Sequence, residues 1–326
     1  MQVIVSGSLA IDRIMTFNGR FGDHIVPERV HQINLSFAVA GFKAYFGGTA
    51  GNIAYSLAML GQEPRIAAAI GSDHRDYFTW LGDNGISTDD IRIVNEEATA
   101  SAFIVTDLAD NQITAFNPGA MMHATGFDFG SVNPADTINI VGPGNYTDMA
   151  DFAADGYAAG IYTIFDPGQS LPSWDADGLT ACIANSHLLI ANDYEMALIS
   201  EKTGRDDAGL LELTGVLVTT LGEQGARVTI PEGQAIVPPV RTDNLVDPTG
   251  AGDAFRGGLI LGLVHPVIAA HANEGGSFGS ITLRQLERAA QIGSACAHFA
   301  IQQPGTQEYR YTREELDAVL ERAYGS

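Results

Sequence analysis

Residues 3–6, 65–70, 137–141, 162–165, 187–191, 215–219 and 227–230 form short, mostly apolar runs, and helical segments separate most of them. A strand buried on both faces reads as a continuous apolar run. The runs therefore predict a mostly parallel sheet between helical layers, a doubly wound α/β fold. Helices are predicted over 53–60, closed by Gly61, and over 77–84, closed by Gly85. From Phe17 to Phe46 the pattern changes: glycines and Pro27 interrupt it, and residues 30–35 alternate apolar with polar, as half-exposed antiparallel strands do. Residues 100–107 and 112–116 read as a hairpin around Asp110-Asn111. These two patches, about 13–45 and 98–118, predict a small β-sheet lid covering one edge of the α/β body. No repeat or low-complexity linker divides the chain, so 1–326 is read as one domain.

Charge narrows the partners. Against 39 acidic residues there are 17 basic ones, of which only Lys43 and Lys202 are lysines, and the net charge is -22. Such a field repels nucleic acid and anionic membranes. It leaves small-molecule partners, phosphorylated ones included, because helix N-termini and Mg²⁺ act locally. No window reaches about 18 uninterrupted apolar residues, and residues 1–7 read as a buried strand rather than a signal peptide. Cys182 and Cys296 lie far apart without metal or redox spacing, which suits a reduced cytoplasm. The histidines show no HExxH, there is no Walker A loop, and Gly142-Pro143-Gly144 continues as Asn145-Tyr146-Thr147, failing the dinucleotide fingerprint.

The best anion site is Asp247-Pro248-Thr249-Gly250-Ala251-Gly252-Asp253-Ala254-Phe255. Two glycines around one alanine make a tight turn, and the apolar run from Ala254 predicts a helix whose amides and positive dipole end face the turn. Asp253 in its first turn is electrostatically awkward beside an anion. Two readings stay open from the turn alone: a helix cap, or a base that takes a proton from a hydroxyl attacking a phosphoryl group.

The same stretch resembles the C-terminal signature of the ribokinase-like, or PfkB-type, carbohydrate and nucleoside kinases. Gly47-Gly48-Thr49-Ala50-Gly51-Asn52 resembles their N-terminal double-glycine signature. Gly7-Ser8 with Asp12, Asn117-Pro118-Gly119-Ala120, Asn192-Asp193-Tyr194-Glu195 and the turn Thr220–Gly225 match further family motifs, in family order over nearly the whole chain. The resemblance implies a three-layer α/β/α fold with a small β-sheet lid, and an ATP- and Mg²⁺-dependent phosphotransferase. It implies Asp253 as catalytic base and the amides of Gly250, Ala251 and Gly252 as an anion hole. Ser8, Asp12, Gly47, Gly48 and Asn52 would bind the acceptor, Asn52 offering both a donor and an acceptor. Asn192, Glu195, Thr220, Gly222 and Gly225 would line the ATP site, with Asn192 and Glu195 holding Mg²⁺ through water. Without the family likeness, that last pair reads as a solvated helix start. Asp247 and Thr249, with the segment Gly305-Thr306-Gln307, would contact a monovalent cation such as K⁺.

Two departures bear on the substrate. Thr49 stands where ribokinases usually carry lysine, and the longer stretch after Asp12 carries Phe17, Phe21, Phe37, Phe42, Tyr45 and Phe46. Aromatic rings suit a nucleobase more than a bare sugar. The expectation is adenosine converted to AMP by a cytoplasmic enzyme that self-associates through its lid. A sugar or sugar-phosphate kinase, the latter with Arg13, Arg20 and Arg29 as cations, is the alternative. A non-catalytic nucleotide- or sugar-binding protein is the reading from another class.

Overall fold

The computed structural model describes residues 1–24, 36–109, 111–273 and 281–325. Among them the strands are β1 (Gln2–Ser6), β2 (Ala10–Phe17), β3 (Val39–Gly47), β4 (Glu63–Ala67), β5 (Ala69–Gly71), β6 (Arg92–Val94), β7 (Ala100–Thr106), β8 (Gln112–Asn117), β9 (Thr137–Val141), β10 (Tyr162–Phe165), β11 (Leu188–Asn192), β12 (Leu217–Thr220), β13 (Ala226–Ile230) and β14 (Gly233–Val237). The helices are α1 (Thr49–Met59), α2 (Arg75–Asp83), α3 (Tyr146–Ala158), α4 (Ala176–Ala184), α5 (Asp193–Thr203), α6 (Asp207–Thr214), α7 (Ala251–Asn273), α8 (Leu283–Ala300) and α9 (Arg313–Tyr324). No helix among the described residues is long and apolar enough to cross a membrane.

The main sheet has 8 strands in the order β14-β13-β12-β11-β10-β9-β1-β4. All neighbours from β12 to β4 are parallel, and β13 and β14 close the far edge antiparallel. Alternate residues of each central strand enter different cores. Val3, Val5, Ile138, Ile140, Ile190 and Val218 pack with α1, α2, α7, α8 and α9. Ile4, Val141, Phe165, Leu189 and Leu217 pack with α3 to α6 on the opposite face. This is the three-layer α/β/α arrangement that the apolar runs predict. Strand order reverses direction between β1 and β9, so a crevice opens at their carboxyl ends, where open α/β sheets bind ligands.

A second sheet, ordered β3-β2-β7-β8, stands beside that crevice. The expectation of purely antiparallel pairing there is corrected: β2 lies parallel to β7, with Ala10 opposite Ala100, while β2/β3 and β7/β8 are antiparallel. The run 65–70 is not one strand. β4 belongs to the main sheet and β5 pairs with β6, because the Ala68 carbonyl between them accepts the Arg92 amide at 2.9 Å. The alternating run 30–35, Pro27, Arg29 and the turn residue Asp110 lie outside the described residues.

Helices α7 and α8 meet along small residues. A Cβ on Gly258 would sit 2.7 Å from Cys296 Sγ, one on Gly293 would sit 2.7 Å from the Phe255 carbonyl oxygen, and one on Gly262 would overlap Ala289. This close approach fixes the axis of α7, and with it the turn at its N-terminus. Gly262→Val is expected to overpack the contact at a cost of about 1–3 kcal/mol. Thermal denaturation should show a drop of several degrees, and an unchanged melting temperature would refute the tight contact.

Candidate active site

The ends of β1, β9, β10, β11 and β12 converge on one rim, and the N-termini of α1 and α7 point into it. The loop after β1 is tied to α1 through backbone. Gly48 has φ of 87°, and a Cβ there would fall 2.5 Å from the Ser8 carbonyl oxygen and 2.6 Å from the Ala10 nitrogen. Ser8 Oγ accepts the Thr49 amide at 3.0 Å and the Ser8 carbonyl accepts the Ala50 amide at 3.0 Å. Ser8, expected on the acceptor, is thus engaged in capping α1. At Gly47 a Cβ would lie 2.7 Å from Asp12 Oδ2 and would push that carboxylate aside. Asp12 is raised above the ordinary carboxylate range by burial and by the Asp247 carboxylate.

Asp253 occupies the first turn of α7. Burial pushes its pKa up to about 6, against the Arg256 charge and a hydrogen bond from Asn52; Asp166 and Asp12 add to the rise. Asn52 Nδ2 donates to Asp253 Oδ2 at 2.7 Å. The direction of that bond is set from a distance. The Trp80 indole N–H can only donate, and it donates to Gln307 Oε1 at 2.9 Å. Gln307 must then turn Nε2 toward Asn52 Oδ1 at 3.0 Å and toward the Tyr77 hydroxyl at 2.9 Å. Tyr77 in turn donates to the Gly47 carbonyl at 2.6 Å. Thr306 Oγ1 also lies 2.8 Å from Asn52 Oδ1. Asn52, expected to offer the acceptor both a donor and an acceptor, is buried and spends its amide on Asp253, Gln307 and Thr306. Trp80 and Tyr77 escape a sequence reading because both lie on the apolar face of an ordinary amphipathic helix.

One turn further along α7, Arg256 is buried and pairs with Asp166 just beyond β10, at 2.5 and 2.8 Å. Its third contact is the Gly252 carbonyl at 3.0 Å, so it braces the glycine turn from beneath. The signal for this pair is present in the sequence: an arginine inside an apolar helical run needs a buried partner. Gly250 has φ of 79° and packs on Thr306. Among the described residues the amides of Gly250 and Gly252 have no protein acceptor, whereas that of Ala251 reaches the Pro248 carbonyl at 3.3 Å. Asp247 holds the turn to the loop behind it, accepting from the Thr249 amide at 2.9 Å and the Gly305 amide at 3.1 Å. Burial works against its ionisation, but these hydrogen bonds outweigh it and keep the carboxyl below the usual range.

Asn192 and Glu195 form a capping box on α5: the Glu195 amide donates to Asn192 Oδ1 at 2.7 Å, and the Asn192 amide to Glu195 Oε2 at 2.8 Å. The helix-start reading of this pair is therefore real. Glu195 is nonetheless raised by burial and by Asp166, and it faces the same buried cation, Arg256. No group of three or more His, Cys, Asp or Glu among the described residues could hold a metal by itself. Thr220, Gly222 and Gly225 line a cavity of about 650 Å³. Ala251, Gly252 and Phe255 of α7, His298 of α8 and the loop 239–243 complete its wall. The cavity thus reaches the glycine turn, and Asp12 lies near enough to Asp247 and Asp253 for its charge to act on both. The loop 239–243 carries no motif and is found only through the fold.

The model of the pfkB family of carbohydrate kinases matches residues 9–312. A nucleoside kinase of Burkholderia thailandensis, solved in complex with inosine, is 36% identical with a TM-score of 0.84, covering 100% of this chain and 97% of that one. A nucleoside kinase of Methanocaldococcus jannaschii is 26% identical over 90% of this chain and 92% of its own length. Fructokinase-2 of Zea mays is 26% identical over 85% of each.

Two predictions follow from Asp253. Its folded pKa of about 6 lies above the ordinary carboxylate value, so the native state holds the proton more tightly and loses stability as pH rises from about 4 to 6. Asp253→Asn is expected to stabilise the fold by roughly 3 kcal/mol at pH 8. The gain should vanish near pH 4, as read by melting temperatures at the two pH values. Trp80→Phe frees Gln307 to flip and removes the constraint that aims Asn52 Nδ2 at Asp253. The carboxylate should then titrate higher than in the parent protein in a carbon-detected NMR titration, and an unmoved midpoint would refute the relay.

Proposed function

We propose a function on the premise that the chain belongs to the pfkB family of carbohydrate kinases, phosphotransferases with an alcohol group as acceptor: it transfers the γ-phosphate of ATP to the primary hydroxyl of a nucleoside, adenosine giving AMP. The observation that carries this reading is the Asp253 carboxylate. Burial pushes its pKa up to about 6 at the start of α7, with Asp12 close enough to add to the rise, and its neighbour Gly252 borders the cavity that Thr220, Gly222 and Gly225 line. A base with that pKa is ionised at neutral pH yet still basic enough to take a proton from a hydroxyl as it attacks.

In this reading Asp12 accepts hydrogen bonds from the vicinal hydroxyls of the ribose and fixes which oxygen faces the phosphate. Gly47 lets Asp12 approach, and Gly48 and Ser8 hold the loop beneath it. Asn52 acts on Asp253, donating to the ionised carboxylate and keeping it from rising further. The amides of Gly250 and Gly252, at the positive end of α7, disperse charge on the transferring phosphoryl group, and that of Ala251 does so once released from Pro248. The cavity holds the ATP. Mg²⁺, when bound, neutralises phosphate charge, and it keeps most of its waters. The second carboxylate oxygen of Glu195 and the side-chain oxygen of Asn192 are acceptors that fit contact through such waters. Asp247, ionised in the turn with Thr249, is the candidate contact for K⁺. The need for ATP fits a cytoplasmic setting.

The nucleoside assignment draws on the inosine-bound Burkholderia relative and on the shape of the small sheet. Of the cations a sugar phosphate would need, Arg13 sits opposite Phe103 on the face of that sheet turned from Asp12, stacks over its ring and leans toward Asp73 at 3.8 Å. That outer face also exposes Phe42 and Phe103 and is the surface for self-association. Similarity to Fructokinase-2 keeps a bare sugar as the rival acceptor.

A panel of nucleosides and free sugars, with ADP formation as readout, tests the substrate class; product from sugars alone would refute the nucleoside. Asp253→Asn should lower turnover by orders of magnitude, and parent-like turnover would exclude the base. In the parent protein kcat/KM should rise with pH through an acid limb near 6.

A further inference from the structure

The lid aromatics divide by what they touch. Phe17, Phe21 and Phe37 pack on one another, with centroids 4.7 to 5.6 Å apart. Phe46 stacks on Tyr77 and Trp80 of α2. Phe42, opposite Met15, alternates onto the face turned from Asp12. Of the six rings marked in the sequence, only Tyr45 shares the face of Asp12, since it stands directly opposite. Asp12 is also opposite Ala102, and Ala102 is opposite Phe116. Directly opposed residues point to the same side of a sheet. One row, Tyr45–Asp12–Ala102–Phe116, therefore crosses all four strands on the cleft side.

The two ends of this row differ. Tyr45 is anchored, its ring lying where a Cβ on Gly305 would come within 2.9 Å. Phe116 is 53% exposed and has no ring partner among the described residues. Between it and the carboxylate stands only the methyl of Ala102. Two strand spacings separate Asp12 from Phe116, roughly 10 Å. The neighbouring row on the same face is Lys43–Ile14–Ile104–Thr114, apolar in the middle and polar at both ends.

We infer that Ala102 and Phe116 form the base subsite for the acceptor, with Ala102 as its floor and Phe116 as the stacking wall for a purine. The inference rests on the nucleoside reading above. A ribose held at Asp12 directs its base along the row, over the gap that the alanine leaves, and against the one unpartnered ring on that face. The flat heterocycle covers Ile14 and Ile104 and turns its polar edge toward the ends of the second row. A bare sugar would leave the gap unfilled and the ring in water. Ala102 is thus a specificity-determining position, because any larger side chain occupies the space of the base.

Calorimetric titration of the whole protein with adenosine tests this without requiring turnover. Phe116→Ala should weaken adenosine binding about ten-fold or more, the scale of a lost base–aromatic stack, while Phe116→Trp should retain it. Ala102→Leu should weaken it as strongly by filling the floor; its melting temperature shows whether it is folded, and Phe116→Ala, at an exposed site, decides the question if it is not. Binding within two-fold of the parent in Phe116→Ala would overturn the inference while leaving the nucleoside reading intact. A parent protein that binds no nucleoside would overturn both.

Discussion

An indole N–H cannot accept a hydrogen bond, and the hydrogen-bond direction at Asp253 descends from that restriction. Trp80 decides how Gln307 lies, Gln307 decides how Asn52 lies, and Asn52 can then present only its NH₂ to Asp253. Were Gln307 free to flip, less would hold the Asn52 NH₂ toward Asp253, and the carboxyl would ionise less readily. The relay runs from α2 through the segment after α8 to α1 and α7, so elements distant in sequence agree on one hydrogen-bond direction. Tyr77 extends the same order to the Gly47 carbonyl, beside Asp12. Asp253 and the Gly47 carbonyl beside Asp12 are thereby referenced to one buried polar network, in which each amide is satisfied.

A second constraint is the placement of charge. In a chain of net charge -22, the neighbouring carboxyls of Asp12, Asp166, Asp253 and Glu195 would repel any anion brought to the glycine turn. The buried Arg256 counters this from inside, pairing with Asp166 and fastening the Gly252 carbonyl. Its cost of burial is met by a bidentate partner. The outward side of the turn is left with amides, which offer positive potential without a mobile cation.

The parts of this arrangement that were legible in the sequence are those made by local pattern. Both-face burial of Ile4, Ile140, Ile190 and Val218 shows as continuous apolar runs, and the strands of the parallel sheet follow. Gly47-Gly48 and Gly250-Ala251-Gly252 show because close backbone approach demands glycine, as the overlap of a Gly48 Cβ with the backbone of Ser8 and Ala10 illustrates. What stayed hidden depends on contacts between distant segments. Nothing in Trp80 or Gln307 locally distinguishes a relay from a core tryptophan and a loop glutamine. The lid aromatics could be counted in the sequence, but which of them share the face of Asp12 could not, because sidedness is set by register and bulges rather than by composition. The parallel pairing of β2 with β7 was equally invisible, since alternation reports exposure and not direction.

That parallel pair bears on how the protein assembles. Strands β2 and β3 can meet as neighbours in the chain, and so can β7 and β8. The sheet that unites them requires Ala10 to find Ala100, after α1, β4, β5, α2 and β6 have been laid down between. Closing so long a loop is entropically expensive until the intervening segment has compacted. The small sheet is therefore a late product of folding, built on an α/β body that already stands. The row Tyr45–Asp12–Ala102–Phe116 is expected to come into being only at that last step, and a chain arrested before it would hold the cavity beside the glycine turn without the face that Asp12 presents.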